Sequence, residues 1–262
     1  MLYEIDAHLK GEKMENNEKK PRSFRALKKI FYAFYPRYTM VCKENIPHDP
    51  CIIVANHAQL HGPLACELYM PENTFCWCAG EMMVKEEVPE YAYRDFWSYK
   101  PWWSKWFYKI VAHLGAPLSV LIFNNARTVP VWHDRRIVKT FRRTEELLLS
   151  GCNIVIFPET DDGKTSLVSS FQEGFTEIAR FYWRHTGRCL NFVPMYVSPR
   201  LHRLQFGNYI TFDPTEDPAE ERHRISTYLR DEITLIAKSL EKHKVVPYRN
   251  IKKREYPKNK EE

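Results

Sequence analysis

His57 and Glu159 are the residues whose type and setting could do chemistry. His57 closes Ile52-Ile53-Val54-Ala55-Asn56, an apolar, β-branched run that breaks into polar residues at Gln59-Leu60-His61-Gly62-Pro63. That pattern is a buried strand delivering a side chain to a surface pocket. An imidazole titrating near neutrality is well suited to take a proton from a hydroxyl and give it away again. Glu159 follows a second apolar run, Asn153 to Phe157, and Pro158. A base placed on a hydroxyl in this way serves the transfer of a group to that oxygen. Each residue also has a plainer reading: Asn56 can be a turn residue holding its loop, and Glu159 a solvent-facing carboxylate.

The elements that must position these residues alternate. Cys51 to Ala55 predicts a core strand, Leu64 to Met70 a helix and Thr74 to Ala79 a short strand. Thr128 to His133 predicts a strand, Arg135 to Ser150 a helix stopped by Gly151, and Asn153 to Phe157 a strand buried on both faces. Strand, helix, strand in this order is a βαβ unit. Phe171 to His185 then predicts a helix, Leu190 to Val197 and Gly207 to Phe212 strands, and Asp217-Pro218 the capped start of a long helix. The segments divide as 1–44, a polar tail and basic helix; 45–248, one α/β domain; and 249–262, a basic tail.

Asn56-His57 after one strand, Phe157-Pro158-Glu159 after a second and Val193-Pro194-Met195 in a third resemble the glycerolipid acyltransferase family that includes lysophosphatidate acyltransferases, over roughly residues 45 to 215. The resemblance implies a mixed, mostly parallel sheet flanked by helices. It also implies that His57 activates a glycerol or lysophospholipid hydroxyl, which attacks the thioester of acyl-CoA or acyl carrier protein directly, with no cofactor beyond that co-substrate and no metal. The catalytic set it suggests is His57, Glu159 and Asp161; the substrate-binding set is Asn56, His61, His133, Arg135 and Thr160. Two polar positions depart from the family. Its first block carries an Asp where this chain has Gly62, and its third continues Gly-Thr-Arg where this chain has Thr160-Asp161-Asp162. The orienting carboxylate has then moved to Asp161, Asp162 or Glu67, or a backbone carbonyl serves, or the site binds lipid without turning it over. The missing arginine, with His133 at the position the resemblance assigns to the substrate phosphate, points to an acceptor less anionic than lysophosphatidate.

Composition narrows the partners. A net charge of +6 is too small for a nucleic-acid coat but suits an anionic membrane or a phosphorylated substrate. Lys19 to Lys43 carries eight Lys or Arg and no acid, interleaved with Phe24, Leu27, Ile30, Phe31 and Phe34 at helical spacing. This is the form of an interfacial anchor, or of a packed helix with a solvated basic face. Residues 91–108 hold ten aromatics in eighteen positions, suited to a headgroup boundary, an acyl channel wall or ordinary packing. The longest apolar run, Leu114 to Phe123 with Pro117 inside, falls short of a membrane span. Seven scattered cysteines indicate a reducing compartment. The expectation is a peripheral protein on the cytoplasmic face of a membrane.

Overall fold

The computed structural model describes residues 20–97, 100–161, 163 and 166–260. The polar tail expected over residues 1–19 and the candidate carboxylate Asp162 lie outside them. In chain order the elements are α1 (Arg22–Phe34), β1 (Thr39–Val41), β2 (Ile52–Ala55), α2 (His61–Tyr69), β3 (Thr74–Ala79), α3 (Val88–Ala92), α4 (Lys105–Phe123) and β4 (Thr128–Val131). There follow α5 (Ile137–Leu149), β5 (Asn153–Ile156), α6 (Glu177–Thr186), β6 (Asn191–Ser198), β7 (Arg203–Phe206), β8 (Ile210–Thr211) and α7 (Pro218–Ser239).

The chain forms two compact units that cut across the three linear segments read from the sequence. One comprises Met1–Tyr35 and Cys78–Thr140, the other Pro36–Trp77 and Phe141–Glu262. The second unit holds the sheet in the order β1-β7-β6-β2-β5-β3, with β8 also on β6. Its pairings are parallel for β1–β7, β2–β5, β2–β6 and β3–β5 and antiparallel for β6–β7 and β6–β8. This is the mixed, mostly parallel α/β sheet expected. β2 lies between β5 and β6 and every one of its residues is fully buried, which is why it reads as an unbroken apolar run. Each Ile or Val so buried contributes about 1.5–3 kcal/mol of hydrophobic stabilisation.

Pro194 sits in this sheet without costing a ladder bond. It lies where β6 changes its antiparallel partner from β8 (Phe192 with Ile210) to β7 (Met195 with Phe206). Its carbonyl, on that same side, accepts from the Gly207 N–H at 2.9 Å. On β6 packs α7, whose Ile233, Ile236 and Ala237 join Tyr196, Leu240 and Val245 in a core. Asp217 caps α7 by accepting from the N–H groups of Ala219 and Glu220, as its Asp-Pro start predicts.

Three local expectations change. The strand expected over Gly207 to Phe212 is confined to β8, and an unexpected strand, β7, precedes it, after a turn with His202 in the left-handed region folds the chain back. A strand, β1, follows the basic helix; it is short and edge-placed, and its side chains show no alternation of character. The helix expected from Leu114 begins at Lys105, and with the preceding turn the stretch Trp102–Phe123 is 22 residues long. By length and composition it would suffice to cross a bilayer, although most of its side chains are exposed and part of one face is packed.

Candidate active site

The sheet register brings His57 and Glu159 together. β2 and β5 run parallel with Val54 opposite Ile156, so three residues further on both chains leave the same edge of the sheet, one at His57 and the other at Glu159. Ligand sites of open α/β sheets lie at the carboxyl ends of the strands for this reason. The Glu159 carboxylate is buried and accepts two backbone N–H groups, from His57 at 2.5 Å and from Ser169 at 2.9 Å. It therefore pins the backbone of the histidine loop. Expected as a catalytic group, it holds two backbone N–H groups in this geometry.

The imidazole is held by its own loop. Ala58 and Gln59 both adopt left-handed backbone, at φ 48° and 57°, which residues with a side chain rarely do. That pair of turns aims the Gln59 carbonyl at His57 Nδ1, and the two are hydrogen-bonded. A carbonyl can only accept, so Nδ1 carries the proton and Nε2 presents its lone pair. The ring packs against Phe157 at 5.1 Å between centroids and meets the Tyr248 ring edge-on at 5.7 Å. Burial among these rings lowers the His57 pKa, outweighing the opposing effect of the carbonyl.

Gly62 stands where a side chain has no room. A Cβ on it would lie 2.6 Å from the His57 carbonyl oxygen and 2.8 Å from the Phe157 ring, so no side chain fits. Its N–H donates to that same His57 oxygen at 3.1 Å. A backbone carbonyl, one of the alternatives open in the sequence, does bond the imidazole here, through Gln59. Asp161 is engaged elsewhere: its carboxylate accepts from the Gly163 N–H at 3.0 Å and lies 3.5 Å from Arg249 Nε. Thr160 donates through both N–H and Oγ1 to the Ser170 carbonyl.

Asn56, expected to bind substrate, spends its amide on the fold. It is buried, with Nδ2 donating to the Val197 carbonyl at 3.1 Å and Oδ1 accepting from the Val197 N–H at 2.7 Å, which locks the loop to β6. The amide is thus engaged as the loop-holding reading of Asn56 expects. His61 starts α2; burial and then the positive charges of Lys253, Arg200 and His202 lower its pKa. His133 and Arg135 belong to the other compact unit and are exposed there. Next to them Arg136 is the engaged guanidinium, lying 3.7 Å over the Trp132 ring and bonded to Asp134.

The sequence reading missed the contribution of the C-terminal segment. Tyr256 accepts from Gln59 Nε2 at 3.2 Å, so it steadies the residue whose carbonyl holds His57. Tyr248 covers the imidazole, and Arg249 donates to the Gly163 carbonyl at 3.0 Å. These residues lie about two hundred positions from His57, and only the tail's basic excess hinted at a role. No His, Cys, Asp and Glu group among the described residues is arranged to hold a metal ion.

No protein-family model matches the chain, and no curated protein matches it. Among solved structures it is similar to a 1-acyl-sn-glycerophosphate (LPA) acyltransferase. That protein, PlsC from Thermotoga maritima, is 16% identical over 82% of this chain and 78% of its own, with a TM-score of 0.46.

Proposed function

We propose that this protein is an acyltransferase that moves a fatty acyl group from an acyl thioester, acyl-CoA or acyl carrier protein, to the hydroxyl of a lysophospholipid at the cytoplasmic surface of an anionic membrane. The observation that carries the reading is the His57 imidazole at a strand end, with Nδ1 tied to the Gln59 carbonyl. Nε2 takes the acceptor's hydroxyl proton as the oxygen attacks the thioester carbonyl. The tetrahedral centre collapses, the carbon–sulfur bond breaks, and the imidazolium returns its proton to the leaving thiolate. A lowered pKa keeps the ring neutral, and so ready as a base, at neutral pH. A carbonyl orients the ring as the family's carboxylate does but brings less negative charge to the imidazolium. Arg200 and Lys253, the cations whose charge acts on His61, favour an acceptor that carries a phosphate.

The test is incubation of purified protein with labelled acyl thioester and a panel of lysophospholipids. Wild type transfers label to at least one acceptor, and His57→Ala lowers the rate by about 10²–10⁴-fold, the usual contribution of a general base. Transfer that survives His57→Ala contradicts the assignment of the base. A protein that bound the lipids with no transfer at all would instead be a lipid-binding relative of the family.

A further inference from the structure

In the first compact unit, α4 presents two faces of opposite character. Ser104, Ala112, Ala116 and Ser119 are buried, and Ser119 Oγ donates to the Met82 carbonyl at 2.9 Å, so this side is packed within the unit. On the other side Trp103, Trp106, Phe107, Ile110, Leu114 and Leu118 recur at three- and four-residue spacing and are each between 49% and 77% exposed. A contiguous apolar stripe of this size is far more than the single exposed hydrophobes of an ordinary surface. Beside it Lys105 and Lys109, both exposed, stand four residues apart, with His113 one step further on and its Nδ1 bonded to the Lys109 carbonyl at 2.7 Å. No acidic residue occurs from Phe96 to His133.

We infer that this face is the surface on which the protein rests on a bilayer, with α4 lying in the plane of an anionic headgroup layer and not crossing it. The inference deepens the membrane part of the function proposed above by naming the element responsible. Charge complementarity selects the occupant: two lysines on a stretch without acids fit phosphate headgroups, and tryptophans belong at that boundary. The packed side selects the orientation. A crossing helix would expose Ser104 and Ser119 to hydrocarbon and carry Lys109 inward, whereas an in-plane helix keeps its packed side on the protein and its cations at the headgroups. α1, in the same unit, repeats the chemistry: Phe24 is buried, Ile30, Phe31 and Phe34 are exposed, and Arg22, Arg25, Lys28 and Lys29 stand without an acid among them.

The test uses the full chain and vesicles of phosphatidylglycerol and phosphatidylcholine. Wild type and His57→Ala are expected to float with the vesicles equally, to be released by alkaline carbonate, and to remain monomeric without lipid. Replacing Trp103, Trp106 and Leu114 together by Ser, all exposed positions, lowers vesicle binding by about tenfold or more. Lys109→Gln lowers it about fivefold, and only on the anionic vesicles. Far-UV circular dichroism establishes that both variants fold. Binding that the serine variant retains, resistance of the wild type to carbonate, or self-association without lipid that the serine substitutions abolish would each overturn the inference, the last by making a second copy the occupant. Equal binding of wild type and His57→Ala with no acyl transfer by either would leave this surface standing while the function fails.

Discussion

The histidine loop and the outer face of α4 are built on opposite terms. Around His57 the polar groups are spoken for: Glu159 takes the His57 N–H, the Gln59 carbonyl takes Nδ1, Gly62 donates to the His57 oxygen, and Asn56 is locked onto Val197. Two left-handed residues are held there against a cost of about 1–3 kcal/mol each. On α4 large apolar side chains stand in the open, and Trp106, Phe107 and Tyr108 meet one another edge-on along the helix. Precise hydrogen bonding marks a place where an atom must be aimed, and exposed hydrocarbon marks a place where another phase is met. The first should fail sharply on a single polar substitution, the second only by degrees.

The sharpest separation should come from Glu159→Gln. An amide can accept one of the two N–H groups but turns its own NH₂ toward the other, so the variant should lose about 1.5–3 kcal/mol of stability. Acyl transfer should fall with the histidine loop while vesicle binding holds, as thermal melting, the labelled-thioester assay and flotation will show. A Glu159→Gln variant with normal transfer would break the comparison, because the clamp would then aim nothing.

Gly62→Asp comes next, and it runs against the family pattern. Introducing the Asp that the resembled family carries should harm this protein, since a Cβ at that position overlaps the His57 oxygen and the Phe157 ring. We expect a loss of about 1–3 kcal/mol, read as a fall of several degrees in Tm, with lower transfer. Improved transfer would show that the carbonyl is an inferior stand-in and that the loop yields easily.

How much of this could be read in advance depends on whether the signal was local. Strands β2, β5 and β6 were legible because burial on both faces demands continuous apolar runs, and the meeting of His57 with Glu159 follows from their order. The identity of the orienting group was not legible, because a backbone carbonyl leaves no side chain in the sequence to find. Asn56 and Glu159 carry the polarity of ligand-binding residues but use it on Val197, His57 and Ser169, and only coordinates separate those uses. The tail was hidden for another reason: Tyr248 and Tyr256 reach the loop across the whole fold. The reach of α4 was underestimated because Lys105 and Lys109 interrupt its apolar pattern, although on the helix they fall to one side of it.

The smallest expected effect tests that tail. Tyr256→Phe removes the acceptor for Gln59 Nε2 and should cost about 0.5–1.5 kcal/mol, with transfer reduced several-fold and vesicle binding unchanged. No change in transfer would confine the tail to a packing role.

The central claim is that a carbonyl holds His57 in the tautomer a base requires, and ¹⁵N histidine NMR across a pH titration reads it directly. Nδ1 should carry the proton and Nε2 the lone pair at neutral pH. Because burial disfavours the charged ring, the midpoint should fall below the ordinary imidazole value of about 6.5, so that the base is lost only as pH drops through that lower midpoint. A proton found on Nε2, or a midpoint above 6.5, would contradict the account.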